Sequence, residues 1–362
     1  MAKSYYELYR TAKHKLTGNG PRVIGALMEA FEGMDPSTPT DFYGNDPLIN
    51  DFEAEIAQLL GMESSVFFPS GTMAQQIALR MWSDLAGTKK VAYHPLCHLE
   101  IHEKDGLKVL HHLEPVLLGS SDRLFTLDDL KAVEEPLACV LIELPQREIG
   151  GQLPAWEELV EISQYCRSKG IKLHLDGARL FEALPYYEKS AEEVCSLFDS
   201  AYVSFYKGLG GIAGAALAGS KEFTEQSKVW KRRHGGDLIS LYPYIVNARY
   251  CMKLRLGKMR EYWQQAQYVA EELNKIEGIR TVPQVPVCNM FHVYFQSDRE
   301  TLETICENLL KQHSFGTIPY LRETEEGCMS EFSFGDSVCK IPREVLQAGF
   351  GQLAAELKQH KK

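Results

Sequence analysis

The 362-residue chain has no apolar run near the length needed to span a bilayer, so a membrane-crossing helix is not expected. Its first ten residues, MAKSYYELYR, lack the apolar core of a secretion signal. Nine cysteines are scattered without a Cys-x-x-Cys pair. That odd count, with no such signal, is what reduced thiols in a cytoplasm would give, and a cytoplasmic location is expected. Positive charge is also short. The 39 Lys and Arg against 49 Asp and Glu leave a net charge of −10, which speaks against a broad nucleic-acid surface. No GxGxxG turn follows an early strand, so the dinucleotide-binding fingerprint is missing. There is no internal repeat and no low-complexity tract.

What remains is an ordinary globular composition, 44% hydrophobic and 24% charged. The length suits one large domain and one smaller one. Residues 21–31 fit a helix with Pro21 near its start, and DPSTPT is turn-rich. Asn45 or Asp46 can cap a helix at Pro47, where Leu48, Phe52, Ile56 and Leu59 recur at helical spacing. Short β-prone runs predict strands at 65–68, 90–93, 107–111, 138–142, 171–175, 201–203 and 212–218. Helical patterns fall at 96–104, 127–133 and 156–168. This alternation predicts an α/β fold with a mainly parallel sheet and helices on both faces. From 221 the pattern turns helical, over 221–233 and 238–277. Runs at 289–295, 302–311 and 329–334 then predict a small α+β domain, with a last helix from 343 to the end. The expected division is 1–245, a large domain with an N-terminal arm, and 246–362, a small C-terminal domain.

Two turns carry chemistry. HLDGAR ends one predicted strand and SFYKGLGG ends the next. Asp176, at the end of a buried strand, is costly unless a cation meets it. In a wound α/β sheet, sites lie beyond the carboxyl ends of strands, so Asp176 and Lys207 can face one pocket. A carboxylate for a pyridinium nitrogen and a lysine amine for an aldehyde are what pyridoxal 5'-phosphate (PLP) asks of a protein. Each has a plainer role too: Asp176 as a helix N-cap, Lys207 as a surface lysine in a glycine-rich loop. Arg179 can grip a substrate carboxylate, hold a cofactor oxygen or neutralise Asp176. Ser70, Gly71 and Thr72 open a helix after a strand, where free N–H groups form a phosphate cradle or an ordinary cap. Ser204 can add a hydroxyl to the same phosphate. His98, in HLEIHEKDG, offers a flat ring to stack on a cofactor and to move protons. His98 and His102 are spaced as in HExxH, but the glutamate is misplaced and no third ligand is evident, so no metal is expected.

In this order the pieces resemble the threonine aldolase/β-eliminating lyase family of fold-type-I PLP enzymes. The matching stretches are YGNDPLINDFEAEIAQLLGMESSVFFPSGTMAQQIAL, HLEIHE, the segment from Ile142 to GGQLPAWEEL, KLHLDGARLFEA and SFYKGLGGIAGAALAG. They cover 43 to about 219, with weaker KRRHGGDL similarity at 231–238. The resemblance implies a PLP-dependent transferase-like large domain. It matches Lys207 to the lysine that binds the cofactor aldehyde and Asp176 to the aspartate on the pyridine nitrogen. Arg179 matches the active-site arginine, His98 the stacked histidine, and Gly71 and Thr72 the phosphate turn. It also implies a homodimer or homotetramer with shared active sites, Tyr43 lying near the junction.

The substrate side departs from the family pattern. An N-terminal Arg-Ser-Asp stretch is replaced by LTGNGPR, the usual Ser before the lysine is Tyr206, and Ile239 stands where an arginine is usual. Arg147 enters through IELPQRE, and Glu331 falls near the usual substrate-carboxylate arginine. Arg147 or Arg322 could compensate. The implied activity is cleavage of threonine or allo-threonine, a small amino-acid substrate, to glycine and acetaldehyde. A β-eliminating lyase acting on another substituted amino acid, and a non-catalytic PLP-binding regulator, are the alternatives.

Overall fold

The computed structural model describes residues 5–360. Residues 1–4 of the expected arm and 361–362 of the last helix lie outside the described residues. The chain divides into two compact units, one holding 23–148 and 153–257, the other holding 5–22, 149–152 and 258 onward.

The larger unit is built on seven strands: β1 (Ser64–Phe68), β2 (Lys90–Tyr93), β3 (Glu114–Leu117), β4 (Cys139–Glu143), β5 (Lys172–Gly177), β6 (Ser200–Ser204) and β7 (Ala215–Gly219). Their order is β1-β7-β6-β5-β4-β2-β3. β3, β2, β4, β5 and β6 run parallel, while β7 is antiparallel to both neighbours. β4 to β7 are buried almost throughout, as a sheet covered on both faces must be. The expected mainly parallel α/β fold is the one observed.

Helix α1 (Pro47–Leu60) starts on Asp46, whose side chain accepts the Leu48 N–H at 3.0 Å, and stops at Gly61 with φ 63°. Ile49, Phe52, Ile56 and Leu60 are its buried stripe. Helix α2 (Gly71–Ala86) follows β1 directly and is capped by Ser70.

Three expectations are corrected. Residues 107–111 are helical, within Gly106–His111. Leu107 and His111 are buried while Val109 and Leu110 are exposed, the i, i+4 signature of a helix rather than an alternating strand. The edge strand β3 was not expected, because Pro115 breaks the β pattern, and an edge is where a sheet tolerates proline. The stretch 238–277 is two helices, Tyr242–Arg255 and Met259–Asn274, separated by a 3₁₀ turn containing Gly257.

The other unit has a four-stranded antiparallel sheet of β8 (Ile279–Val282), β9 (Met290–Phe295), β10 (Arg322–Thr324) and β11 (Gly327–Ser333), ordered β10-β11-β9-β8. Phe291, Phe295 and Phe332 pack in its core with Leu302 and Leu353 of the helices Arg299–His313 and Arg343–Gln359. The N-terminal segment groups with this unit. His14–Lys15 pairs in parallel with Phe315–Gly316, and Leu16 is fully buried in the same core. The sequence reading put these residues with the large domain and the boundary near 245; the units change at Gly257–Lys258. A two-residue pairing across some 300 positions leaves no local pattern to read. All nine cysteines are free; eight are buried and Cys339 is half-buried.

Candidate active site

Asp176 is 2% exposed at the carboxyl end of β5. In register beside it stand Glu143 of β4 and Tyr202 of β6, so one level of the sheet presents two carboxylates and a phenol. Asp176 Oδ1 accepts the Ala178 N–H at 3.1 Å, and no cation pairs with the carboxylate among the described residues. Burial pushes its pKa up and Glu103 adds to this, while the Ala178 N–H, His98 and Lys207 pull it down. Glu143 is also pushed up, first by burial and then by repulsion from Asp176. Its two oxygens take the Arg147 N–H at 3.3 Å and the Gln146 Nε2–H at 3.1 Å.

Gly71 and Thr72, at the N-terminus of α2, line the same pocket as Asp176 and Lys207. Gly71 is dictated by contact, since a Cβ there would collide with the Tyr202 hydroxyl. That hydroxyl lies 3.4 Å from the one on Tyr206. Lys207 follows β6 on the glycine-rich loop, its Nζ 5.3 Å from the Tyr206 ring centre. The loop is pinned by buried Glu182, which accepts the Gly208 N–H at 2.8 Å and pairs with Arg179 at 3.5 Å.

His98 faces the pocket from the other side. Its Nδ1 lies 3.0 Å from Glu103 Oε1, and Glu103 Oε2 accepts from Gln76 Nε2 at 2.7 Å. The buried carboxylate beside Nδ1 makes Nδ1–H the favoured tautomer of the neutral ring. Arg147 also lines the pocket; Glu148 Oε1 receives its Nη1–H at 2.9 Å and lies 2.8 Å from His102 Nε2.

Of the residues singled out in the sequence, Gly71, Thr72, His98, Asp176, Arg179 and Lys207 converge on one pocket. Ser70 and Ser204 are not among its lining. The Ser70 hydroxyl caps α2 at Met73, and the buried Ser204 hydroxyl accepts the Tyr206 N–H at 3.3 Å. Sequence reasoning missed Glu103, Glu143 and Gln75 as lining residues. Glu103 lay within the quoted HLEIHE stretch, five residues after His98, and that spacing was the available signal. Arg322 is on exposed β10 in the other unit, its guanidinium 5.7 Å over Tyr320. Glu331 stands opposite His292, 3.9 Å away.

The donor set fits PLP. It comprises a buried carboxylate without a cation, a primary amine, an imidazole, and a helix N-terminus with a close-packed glycine.

Comparison with known proteins agrees. The family profile described as Beta-eliminating lyase matches residues 23–296. A solved structure from Listeria monocytogenes EGD-E, provisionally named an L-allo-threonine aldolase, is 54% identical with a TM-score of 0.95, covering 97% of this chain and 98% of that one. A structure from Exiguobacterium sp. 255-15, provisionally named an aromatic amino acid beta-eliminating lyase/threonine aldolase, is 50% identical with a TM-score of 0.96, covering 97% and 99%. Low-specificity L-threonine aldolase 1 of Arabidopsis thaliana is 27% identical over 299 residues, 80% of this chain and 83% of that protein.

Proposed function

This chain belongs to the beta-eliminating lyase family, and from that premise we propose that it is a PLP-dependent aldolase cleaving threonine or allo-threonine to glycine and acetaldehyde. The observation that carries the reading is the convergence of Asp176, Lys207 and His98 on one pocket at the N-terminus of α2. Similarity to proteins named for threonine and allo-threonine cleavage supports the substrate.

When bound, PLP supplies an aldehyde carbon that takes up amines and a ring that withdraws electrons from the bond being broken. Asp176 would hold the protonated ring nitrogen, and the elevation of its pKa by burial would be relieved by that cation. Lys207 would hold the aldehyde carbon. The α2 N-terminus, through Gly71 and Thr72, would hold the phosphate. His98 lines the pocket, and its neutral Nδ1–H tautomer would accept the proton of the substrate β-hydroxyl at Nε2. Glu103 and Gln76 keep the ring in that tautomer. Arg179, braced by Glu182, and Arg147, braced by Glu148, supply the cations for the substrate carboxylate.

The same reading includes assembly as a homodimer or homotetramer. Phe42 and Tyr43, with ring centres 4.8 Å apart, are 67% and 44% exposed, and Tyr43 N–H bonds to Ile239, itself 55% exposed. Such apolar exposure is what a partner subunit would cover. Among the described residues no helix is long and apolar enough to cross a membrane. Nine free cysteines accord with a cytoplasmic setting.

The test is a spectrum of the purified protein with PLP before and after borohydride, followed by acetaldehyde release from threonine and allo-threonine. A visible band lost on reduction, with the label on Lys207, and release of acetaldehyde are expected. A band without acetaldehyde would refute the aldolase, and no band at all would refute the cofactor assignment.

A further inference from the structure

A buried polar chain runs from Trp82 to Gln75, which lines the pocket, and its hydrogen-bond directions follow from what each group can donate and accept. Trp82 Nε1–H can only donate, and it does so to Ser200 Oγ at 2.8 Å. Ser200 is fully buried, and among the described residues the acceptor its hydroxyl proton meets is His174 Nδ1 at 2.7 Å. His174 is fully buried and burial pushes its pKa down to about 3, so the ring is neutral with its one proton on Nε2. That N–H meets Gln75 Oε1 at 2.7 Å. The oxygen of the Gln75 amide is thereby spoken for, and the amide nitrogen is turned the other way. Gln75 is 3% exposed, lines the pocket beside Gly71 and Thr72, and its amide nitrogen has no hydrogen-bond partner among the described residues. The amide nitrogen is open to the pocket, so its hydrogen-bond partner is whatever occupies that space, water or a ligand oxygen.

We propose that Gln75 is a cofactor-binding residue whose amide donates to an oxygen of bound PLP, and that Trp82, Ser200 and His174 are positioning residues that fix which end of the amide faces the pocket. This rests on the PLP reading above. The chain carries the orientation across three strand and helix segments: α2 supplies Trp82 and Gln75, β5 supplies His174 and β6 supplies Ser200. An amide end otherwise free to flip is assigned by its network. With the donor end fixed, the pocket presents a preformed N–H to an anionic ligand.

The experiment is PLP titration into cofactor-free protein, followed by absorbance, with thermal unfolding of the same cofactor-free samples. Gln75→Met removes the donor and is expected to weaken the PLP Kd about tenfold. Gln75→Glu keeps an oxygen for the His174 N–H, so its cofactor-free unfolding midpoint should stay near wild type while PLP binding weakens by a similar factor. Ser200→Ala frees the choice of His174 tautomer and is expected to give a smaller loss, about threefold. Wild-type affinity in either folded Gln75 variant overturns the contact, and wild-type affinity in Ser200→Ala overturns the positioning. If the wild-type protein takes up no PLP, the cofactor reading itself has failed.

Discussion

Glu143 and Asp176 stand opposite each other in register on neighbouring parallel strands, and both face the pocket that contains Lys207. Two carboxylates so placed resist ionising together, and each depends on the charge of the other. Asp176 must be ionised to hold a ring N–H, and burial raises its pKa before the cofactor arrives. Cofactor uptake should therefore strengthen as pH rises through that raised value. Glu143 is pushed higher than Asp176, by burial and by Asp176 itself, so it keeps its proton while Asp176 ionises, and Glu143→Gln, which mimics that protonated form, should leave the midpoint of uptake near wild type. The PLP Kd measured across pH checks this, and a midpoint moved clearly to lower pH would show Glu143 charged beside Asp176.

Gly71 is held to glycine by the Tyr202 hydroxyl rather than by its backbone angles. Gly71→Ala should cost about 1–3 kcal/mol through overpacking. Adding Tyr202→Phe should recover part of the loss, because the first atom in the way is gone. Urea unfolding of the single and double variants measures both, and no recovery would place the strain elsewhere.

Glu103 favours the His98 tautomer with its proton on Nδ1. Glu103→Gln presents an amide that can hold the opposite tautomer. The expected result is a fall in kcat of roughly 100-fold or more with KM little changed, since general-base catalysis contributes about that much. A fall confined to KM would assign Glu103 to binding instead.

Arg147 lines the pocket with its guanidinium braced by Glu148. Losing a charge-assisted contact to a carboxylate costs about 1.5–3 kcal/mol, so Arg147→Ala should raise KM for threonine at least tenfold. Glu148→Gln should raise it by less. Unchanged kcat and KM in Arg147→Ala would remove Arg147 from substrate binding.

His111 is 2% exposed, stacked on His234 at 5.1 Å, with neither ring nitrogen hydrogen-bonded among the described residues. Burial first, then His234 and Arg80, push its pKa from 6.5 down to about 4. As pH falls below 6.5 the unfolded chain takes the proton first, so stability is lost progressively toward pH 4. His111→Leu removes that loss and a buried unpaired polar group, and should stabilise by about 1 kcal/mol near neutrality. Its advantage should widen as pH drops. Unfolding midpoints at pH 7 and pH 5 test the sign.

The parts that could be read in the sequence were those with local signatures. HLDGAR and SFYKGLGG end strands, and the two turns come together because β5 and β6 are neighbours. Asp46-Pro47 and Gly61 mark the ends of α1 by capping chemistry alone. What escaped depends on distant partners. Gln75 reads as one polar residue in a helix until His174, 99 positions away, is found against it. Glu143 looks like the end of an apolar strand, and only the register with Asp176 turns it into a pocket carboxylate. Ser70 and Ser204 are the converse. Each was marked by its turn, and its hydroxyl oxygen accepts a local backbone N–H, from Met73 and Tyr206 respectively, while the hydroxyl proton stays available to a ligand.

The nine free thiols, eight of them shut away from water, give the molecule a built-in record of its own opening. In the folded state a thiol reagent would reach little beyond Cys339. Each further sulfur that reacts marks a region that has come apart, because the cysteines are spread through both units from Cys97 to Cys339. Counting modified sulfurs against time would therefore show which unit loosens first, and whether cofactor holds the larger one shut, with no probe added to the chain.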